Sequence, residues 1–591
     1  MKLGVIGNCE VAGLVDTQGS INWFCLPRLD GDPVFHALLG KGPGQEGDGA
    51  FTIELDGQTS TEQHYEINTA VLTTILHSAS GSVEITDFCP RFEARGRSFR
   101  PQMIVRRVRP LGGWPRIRIR IRPRFNWGAT APEITHGSNH VRFMGGAQTV
   151  RLTTDAPLDH VLSERLINLD RLQTFVIGPD ESLSESPREI GETFLEETLL
   201  YWRRWVRRLA VPFEWQEAVI RAAITLKLCS HESTGGVVAA ITTSLPEAPN
   251  SGRNWDYRYC WVRDAFFTVR ALNSLAATRT LETYFQWLMN VVADAKGKHI
   301  QPVLGVGLET QLTERISDDL QGYRGMGPVR IGNQAHEHFQ HDTYGNVILG
   351  AAPAFFDKRL YMDAGPAAFE MLEALGEQAW ELHDQPDAGI WELRTRARIH
   401  TSSSLMCWAA CDRLGKIAGH LTLHERAKVW ADRAQIIREK ILKNAWSEER
   451  GAFVESFGGH SLDASVLLMG EVGFLPYEDP RFVATVDALS KSLGRGPFML
   501  RYEEADDFGS PEVGFNVCAF WRVDALARIG RVEEAREHFE GLLAARNHLG
   551  LMSEDSAFTD GTAWGNFPQT YSMVGIVNCA MRLSRKWEAV L

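Results

Sequence analysis

From about residue 213 onward the apolar residues recur with a helical period, and the connections between helical segments alternate between long and short. That alternation restricts the possible folds more than any other feature of the chain. Helical segments are expected at about 213–229, 264–277, 281–296, 342–356, 363–377, 400–415, 423–441, 461–469, 480–492, 513–528, 532–546 and 567–586. Long connections cover about 230–263, 297–341, 378–399, 442–460, 493–512 and 547–566, and short ones join the helices in pairs. Long connections in a compact domain are usually functional. Six helical hairpins with every long loop at one end describe a double ring of helices, an (α/α)6 barrel whose inner helices present their loops to one mouth. No internal repeat of about 20–50 residues points instead to an open solenoid.

Residues 1 to about 190 follow a different rule. Short runs with period two, such as Phe51–Leu55, Ala70–Leu76, Ser82–Phe88, Met103–Val108 and Ile117–Ile121, are separated by Gly, Pro, Asn and Asp. Strands this frequent and half-buried suggest an antiparallel β-sandwich. The arginine-rich run Arg116–Arg124 alternates with Ile and Pro, which fits a solvated sheet face better than a nucleic-acid stripe. Over residues 191–212 the period becomes helical, with Glu early and Arg late, as a helix dipole favours. The organisation expected is therefore a β-sandwich at 1–190, a helical linker at 191–212 and a helical barrel at 213–591. A chain of 591 residues exceeds what one compact core supports, in keeping with more than one domain.

A formal net charge of −12 argues against a nucleic-acid partner. The nine cysteines are scattered and form no CxxC pair, so neither a zinc site nor a disulfide framework is suggested. The N-terminal residues lack a hydrophobic stretch of signal-peptide length, and no run of about 18 apolar residues could span a bilayer. A cytoplasmic protein with no membrane partner, no cofactor and no metal is the expectation.

The long loops carry unusual polar-aromatic clusters: Arg253–Asp264, Tyr323–Asn333, Gly389–Arg394, Leu500–Glu504 and Leu551–Ser556, the last followed by Gly565–Gln569. Brought to one rim, they would offer carboxylates (Asp264, Glu392, Glu554), guanidinium groups (Arg263, Arg330, Arg501) and ring faces (Trp255, Trp261, Trp391, Tyr502). Fixed bidentate groups beside aromatic faces match a pyranose and its vicinal hydroxyls. Glu392 lies between Trp391 and Leu393, and apolar neighbours would strip its hydration and raise its pKa, as a general acid requires. With Glu554 as a second carboxylate, glycoside hydrolysis is the leading reaction.

These motifs, together with Gly7–Arg28, Thr242–Glu247 and Pro328–Asn333, resemble bacterial members of glycoside hydrolase family 15, the glucoamylase and trehalase family, over nearly the whole chain. The resemblance implies a β-sandwich, a helical linker, an (α/α)6 barrel and an inverting mechanism with Glu392 as general acid and Glu554 as general base. It also implies that Trp261, Arg263 and Asp264 line the subsite of the non-reducing glucose. Arg501 maps to the family's Arg-Tyr motif, Trp391 packs beside the acid, and Asn333 closes a matching motif. Where fungal glucoamylases carry a second glutamate after the acid, this chain has Leu393. The substrate expected is a disaccharide or short oligosaccharide. An exo-acting, glucoamylase-like α-glucosidase that releases β-glucose is the first reading, and α,α-trehalase the alternative. A disaccharide phosphorylase would need an anion pocket in place of a base such as Glu554, and a non-catalytic sugar-binding protein would not need both carboxylates.

Overall fold

The computed structural model describes residues 1–40, 42, 49–361 and 364–590. Its N-terminal part holds two antiparallel sheets packed face to face. One runs in the order Leu3–Gly7, Ala12–Asp16, Ile21–Leu26, Phe51–Leu55, Arg116–Ile121 and Ile167–Asn168, with Asp32–Phe35 paired to Ile21–Leu26. The other runs Glu133–His136, His140–Gly145, Gln148–Thr154, Gln173–Pro179, Ile104–Gly113, Gly81–Phe88, Leu72–Ser78 and Gln58–Tyr65. The isoleucines of Arg116–Ile121 point into the core and its arginines outward. There Arg120 meets Glu54, and Arg122 meets Glu164 at 2.6 Å. The arginine stripe is thus spent on neighbouring carboxylates.

A single helix, Pro187–Val206, leads into the second part. It starts earlier than its period alone suggests, because Ser186 and Glu189 form a reciprocal capping box around Pro187.

Each expected helical segment contains a helix, with ends shifted by a few residues. Residue 363, where one was expected to begin, lies outside the described residues; the helix there spans Pro366–Leu382. Among the described residues an inner ring closes on itself through Val262–Ser274, Asp342–Ala351, Thr401–His420, the short turn-and-helix Ala464–Glu471, Asn516–Arg528 and Thr570–Leu583. Thr278–Ala295, Pro366–Leu382, His424–Asn444, Pro480–Leu493, Val532–Ala544 and Gln216–Leu228 pack around it. The inner segments are buried almost all round, whereas His424–Asn444 buries only Trp430, Ala434, Ile437 and Ile441. The long connections hold short strand pairs, such as Cys260–Trp261 with Val303–Leu304 and Arg315–Ser317 with Val329–Ile331. Strands of two or three residues are too short to leave a period in the sequence.

One apolar core runs continuously from the sheets into the helices. Polar contacts cross the same boundary: Trp23 Nε1 donates to the Ile241 carbonyl at 2.7 Å, and Arg91 pairs with Glu232 at 2.7 Å.

Candidate active site

The segment Arg253–Asp264 runs along the mouth of the ring, with Trp255, Tyr257 and Trp261 facing inward. Asp256 and Arg258 point the other way, as a fully buried ion pair at 2.7 Å. The inward residues reach both candidate carboxylates. Trp261 Nε1 donates to Glu392 Oε1 at 2.6 Å, and the Tyr257 hydroxyl donates to Glu554 Oε1 at 2.6 Å. The two rings meet edge to face, 5.4 Å between centroids. One stretch of chain therefore fixes the acid candidate and the base candidate relative to each other.

Glu392 sits in a tight turn, in which its N–H donates to the Gly389 carbonyl at 3.2 Å. Its φ is +61°, a left-handed conformation that costs a non-glycine residue roughly 1–2 kcal/mol and is tolerated where the surroundings impose it. Arg263 braces the turn by donating to the Ile390 carbonyl at 3.0 Å, and its other nitrogen stands 3.8 Å from Glu392 Oε1. The expected desolvation of Glu392 by its flanking residues is not what the structure shows. Trp391 turns away to pack on Tyr502, Phe515 and Trp521 and donates to Asp463 at 2.7 Å, leaving the Glu392 side chain 21% exposed at the cavity.

The desolvated carboxyl is Glu554, which is 1% exposed. Burial, reinforced by the charge of Glu247, raises its pKa to about 8, while the Tyr257 hydroxyl and Arg501 pull the other way. Among the described residues its Oε2 has no hydrogen-bond partner. Beside it, burial and the charges of Glu554 and Glu247 hold Asp555 well above the ordinary carboxylate range. Arg501 pairs with Glu247, whose other oxygen accepts Trp255 Nε1 at 2.9 Å. Gly565 allows the close approach, since a Cβ there would stand 2.6 Å from Glu554 Cβ.

These groups border two adjoining cavities that share Tyr257, Trp391, Glu392 and Arg501. The inner one is lined by Trp261, Arg263, Asp264 and Glu554. Arg263 Nε holds Asp264 at 3.1 Å, and burial lifts the Asp264 pKa to about 6 against that pairing. The outer one is lined by Trp255, Asn333, Arg394 and the stretch Asp506–Phe508.

Of the residues singled out by sequence, Glu392, Glu554, Trp255, Trp261, Arg263, Asp264, Asn333, Trp391 and Arg501 reach these cavities. Arg330 and Tyr502 stand behind the wall. Arg330 donates to the Gly252 and Asn254 carbonyls, and Tyr502 donates to Asp506. Trp255 is less free than an open sugar platform, because the guanidinium groups of Arg394 and Arg330 lie 4.5 and 4.7 Å from its ring centre. Tyr257, Glu247, Gln569 and Tyr571 also border the site. The first three lie within motifs already distinctive in sequence, and the parity of Tyr257 with Trp255 and Trp261 could have marked it.

Residues 215–581 match the family described as Glycosyl hydrolases family 15, and residues 1–166 match Trehalase-like, N-terminal. The chain is 31% identical to a protein named Trehalase from Thermoplasma volcanium, covering 100% of this chain and 93% of that one. It is also 31% identical to a protein named Trehalase from Mycolicibacterium smegmatis, over 99% of this chain and 91% of the relative. A bacterial glucoamylase solved with acarbose superimposes with a TM-score of 0.69 over 98% of this chain and 93% of that one; at 12% identity this shows the fold. Two-sheet domain, helical domain and paired carboxylates thus coincide with matches along almost the entire length, and the chain belongs to glycosyl hydrolase family 15 and is a glycoside hydrolase.

Proposed function

We propose that this enzyme hydrolyses α,α-trehalose by inversion, with Glu392 as general acid and Glu554 as general base, at the mouth of an (α/α)6 barrel. The observation that carries the choice of substrate is the full-length similarity, at 31% identity, to proteins named Trehalase, which includes the N-terminal domain. Trehalase thereby moves ahead of the glucoamylase-like reading that the motifs alone put first.

The geometry supports the roles. Glu392 borders both cavities, where the bridging oxygen of a disaccharide lying across them would sit, so it can protonate that oxygen as the bond breaks. Glu554 borders only the inner cavity, on the side of the transferred sugar, where a base would accept a proton from the attacking water. Arg263 and Asp264 would hold hydroxyls of that sugar and fix its anomeric carbon.

Inversion on trehalose leaves a distinct signature. The transferred glucose emerges as the β anomer, while the departing glucose keeps its α configuration. Proton NMR of the first products, ahead of mutarotation, should show equal α- and β-glucose from trehalose and little turnover of maltose, isomaltose, kojibiose or nigerose. Two α-glucoses from trehalose would refute inversion, and preferred turnover of maltose would refute the substrate.

A further inference from the structure

We propose that the segment Glu503–Gly509 is a strap that closes the outer cavity behind a single sugar and so limits this enzyme to substrates of disaccharide length. The inference rests on reading the two cavities as sugar subsites.

The strap ties together two loops that border the site. Asp506 accepts both terminal nitrogens of Arg253 at 2.5 Å and the Phe508 N–H at 2.7 Å. Asp507 accepts the Arg394 N–H at 2.8 Å and the Thr395 hydroxyl, both on the loop that carries Glu392. Glu504 accepts Arg396 at 2.7 Å and Arg398 at 2.8 Å from the same loop. Most of these contacts are charge-assisted, and all three carboxylates take more than one donor, so the segment is held as a fixed wall.

Its position gives the wall a purpose. Asp507 and Phe508 line the outer cavity and are also exposed, which puts the strap at the cavity's rim. Phe508 stands edge-on to Trp255, with ring centroids 5.1 Å apart and planes at 81°. A third sugar attached to the departing one would have to occupy the space of Phe508. Longer substrates are refused by steric exclusion, not by the absence of a contact.

The test compares kcat/KM for trehalose with that for a trehalose bearing one extra α-glucose on either ring, and for maltose with that for maltotriose. The native enzyme should prefer each disaccharide by at least ~100-fold. Phe508→Gly, which keeps the Asp506 and Asp507 anchors, should narrow that preference at least ~10-fold, and replacing Asp506–Phe508 with three glycines should narrow it further. If the triple variant does not fold, Phe508→Gly carries the test alone. A native enzyme that already accepts the trisaccharides, or an unchanged preference in Phe508→Gly, would overturn the strap. Turnover of maltose but not trehalose would refute the trehalase reading while the maltotriose comparison still tests the strap.

Discussion

Tyr257 is the side chain on which the protonation of Glu554 turns. A buried carboxyl holds its proton, and burial with the charge of Glu247 raises Glu554 to about 8, yet the general base proposed here must be ionised. The Tyr257 hydroxyl lowers that value by donating to Oε1. A hydrogen bond to a charged group is worth about 1.5–3 kcal/mol, equivalent to about one to two pKa units. Tyr257→Phe should therefore move the acid limb of the kcat/KM profile to higher pH by about that much. A limb that stays in place would show that Tyr257 only fills space. The same burial has a price in stability. The folded-state pKa of Glu554 lies above its ordinary value of 4.5. Below pH 4.5 both folded and unfolded chains hold the proton, and the group contributes nothing. As pH rises from 4.5 towards about 8, the unfolded chain releases a proton that the folded chain keeps, which drains stability at up to roughly 1.4 kcal/mol per unit. Glu554→Gln removes this penalty. Its melting temperature should exceed that of the native enzyme at pH 8, with the gap shrinking towards pH 5. A gap independent of pH would contradict the assignment.

At the scale of elements, the turn Gly389–Leu393 decides where Glu392, the proposed acid, points. Gly389 has φ +68°, and a Cβ there would lie 2.7 Å from the His400 ring. Gly389→Ala is thus strained in backbone and in space, and the relief available is a shift of the turn away from Thr401–His420, carrying Glu392 with it. We expect kcat on a disaccharide to fall at least ~10-fold, while an α-glucosyl fluoride, whose departure needs little protonation, suffers less. Equal losses on both would place the damage elsewhere. This turn also marks how far the sequence can be read. The helical hairpins were legible because their apolar period extends over 13 residues or more in helices such as Val262–Ser274. The gathering of Glu392, Asp264 and Glu554 was legible because their loops lie at one end of that pattern. The environment of each carboxyl was not, because it depends on contacts distant in sequence. Trp391 next to Glu392 faces away, while Tyr257, 297 residues from Glu554, supplies its hydrogen bond. Nothing local marks Phe508, which acquires its place only through the anchors of Asp506 and Asp507.

For the whole molecule, the question is what the N-terminal sheets contribute to a site built entirely on the helical domain. Arg258 supplies a direct answer. Tyr257 and Trp261, which hold the two catalytic candidates, flank it in the same segment. Its guanidinium donates to the Gly31 carbonyl of the sheet domain at 2.5 Å and lies 4.7 Å from the Trp127 ring centre, also of that domain. The sheets cover the Arg258 side of the Asp256–Arg258 pair, while the Gly332 N–H, at 3.2 Å, closes on Asp256 from the helical domain. Remove the sheets, and the segment loses its backing while the apolar core that runs between the two parts is opened to water. Residues 213–591 produced alone should accordingly aggregate. If kept soluble, they should melt without a cooperative transition and show kcat/KM at least ~100-fold below that of the full chain. Adding separately prepared residues 1–212 should recover part of the activity if the sheets act by bracing the Arg253–Asp264 segment. A fragment that melts cooperatively and turns over disaccharide at the native rate would show that the helical domain builds its site unaided, and that Arg258 serves only to attach the sheets.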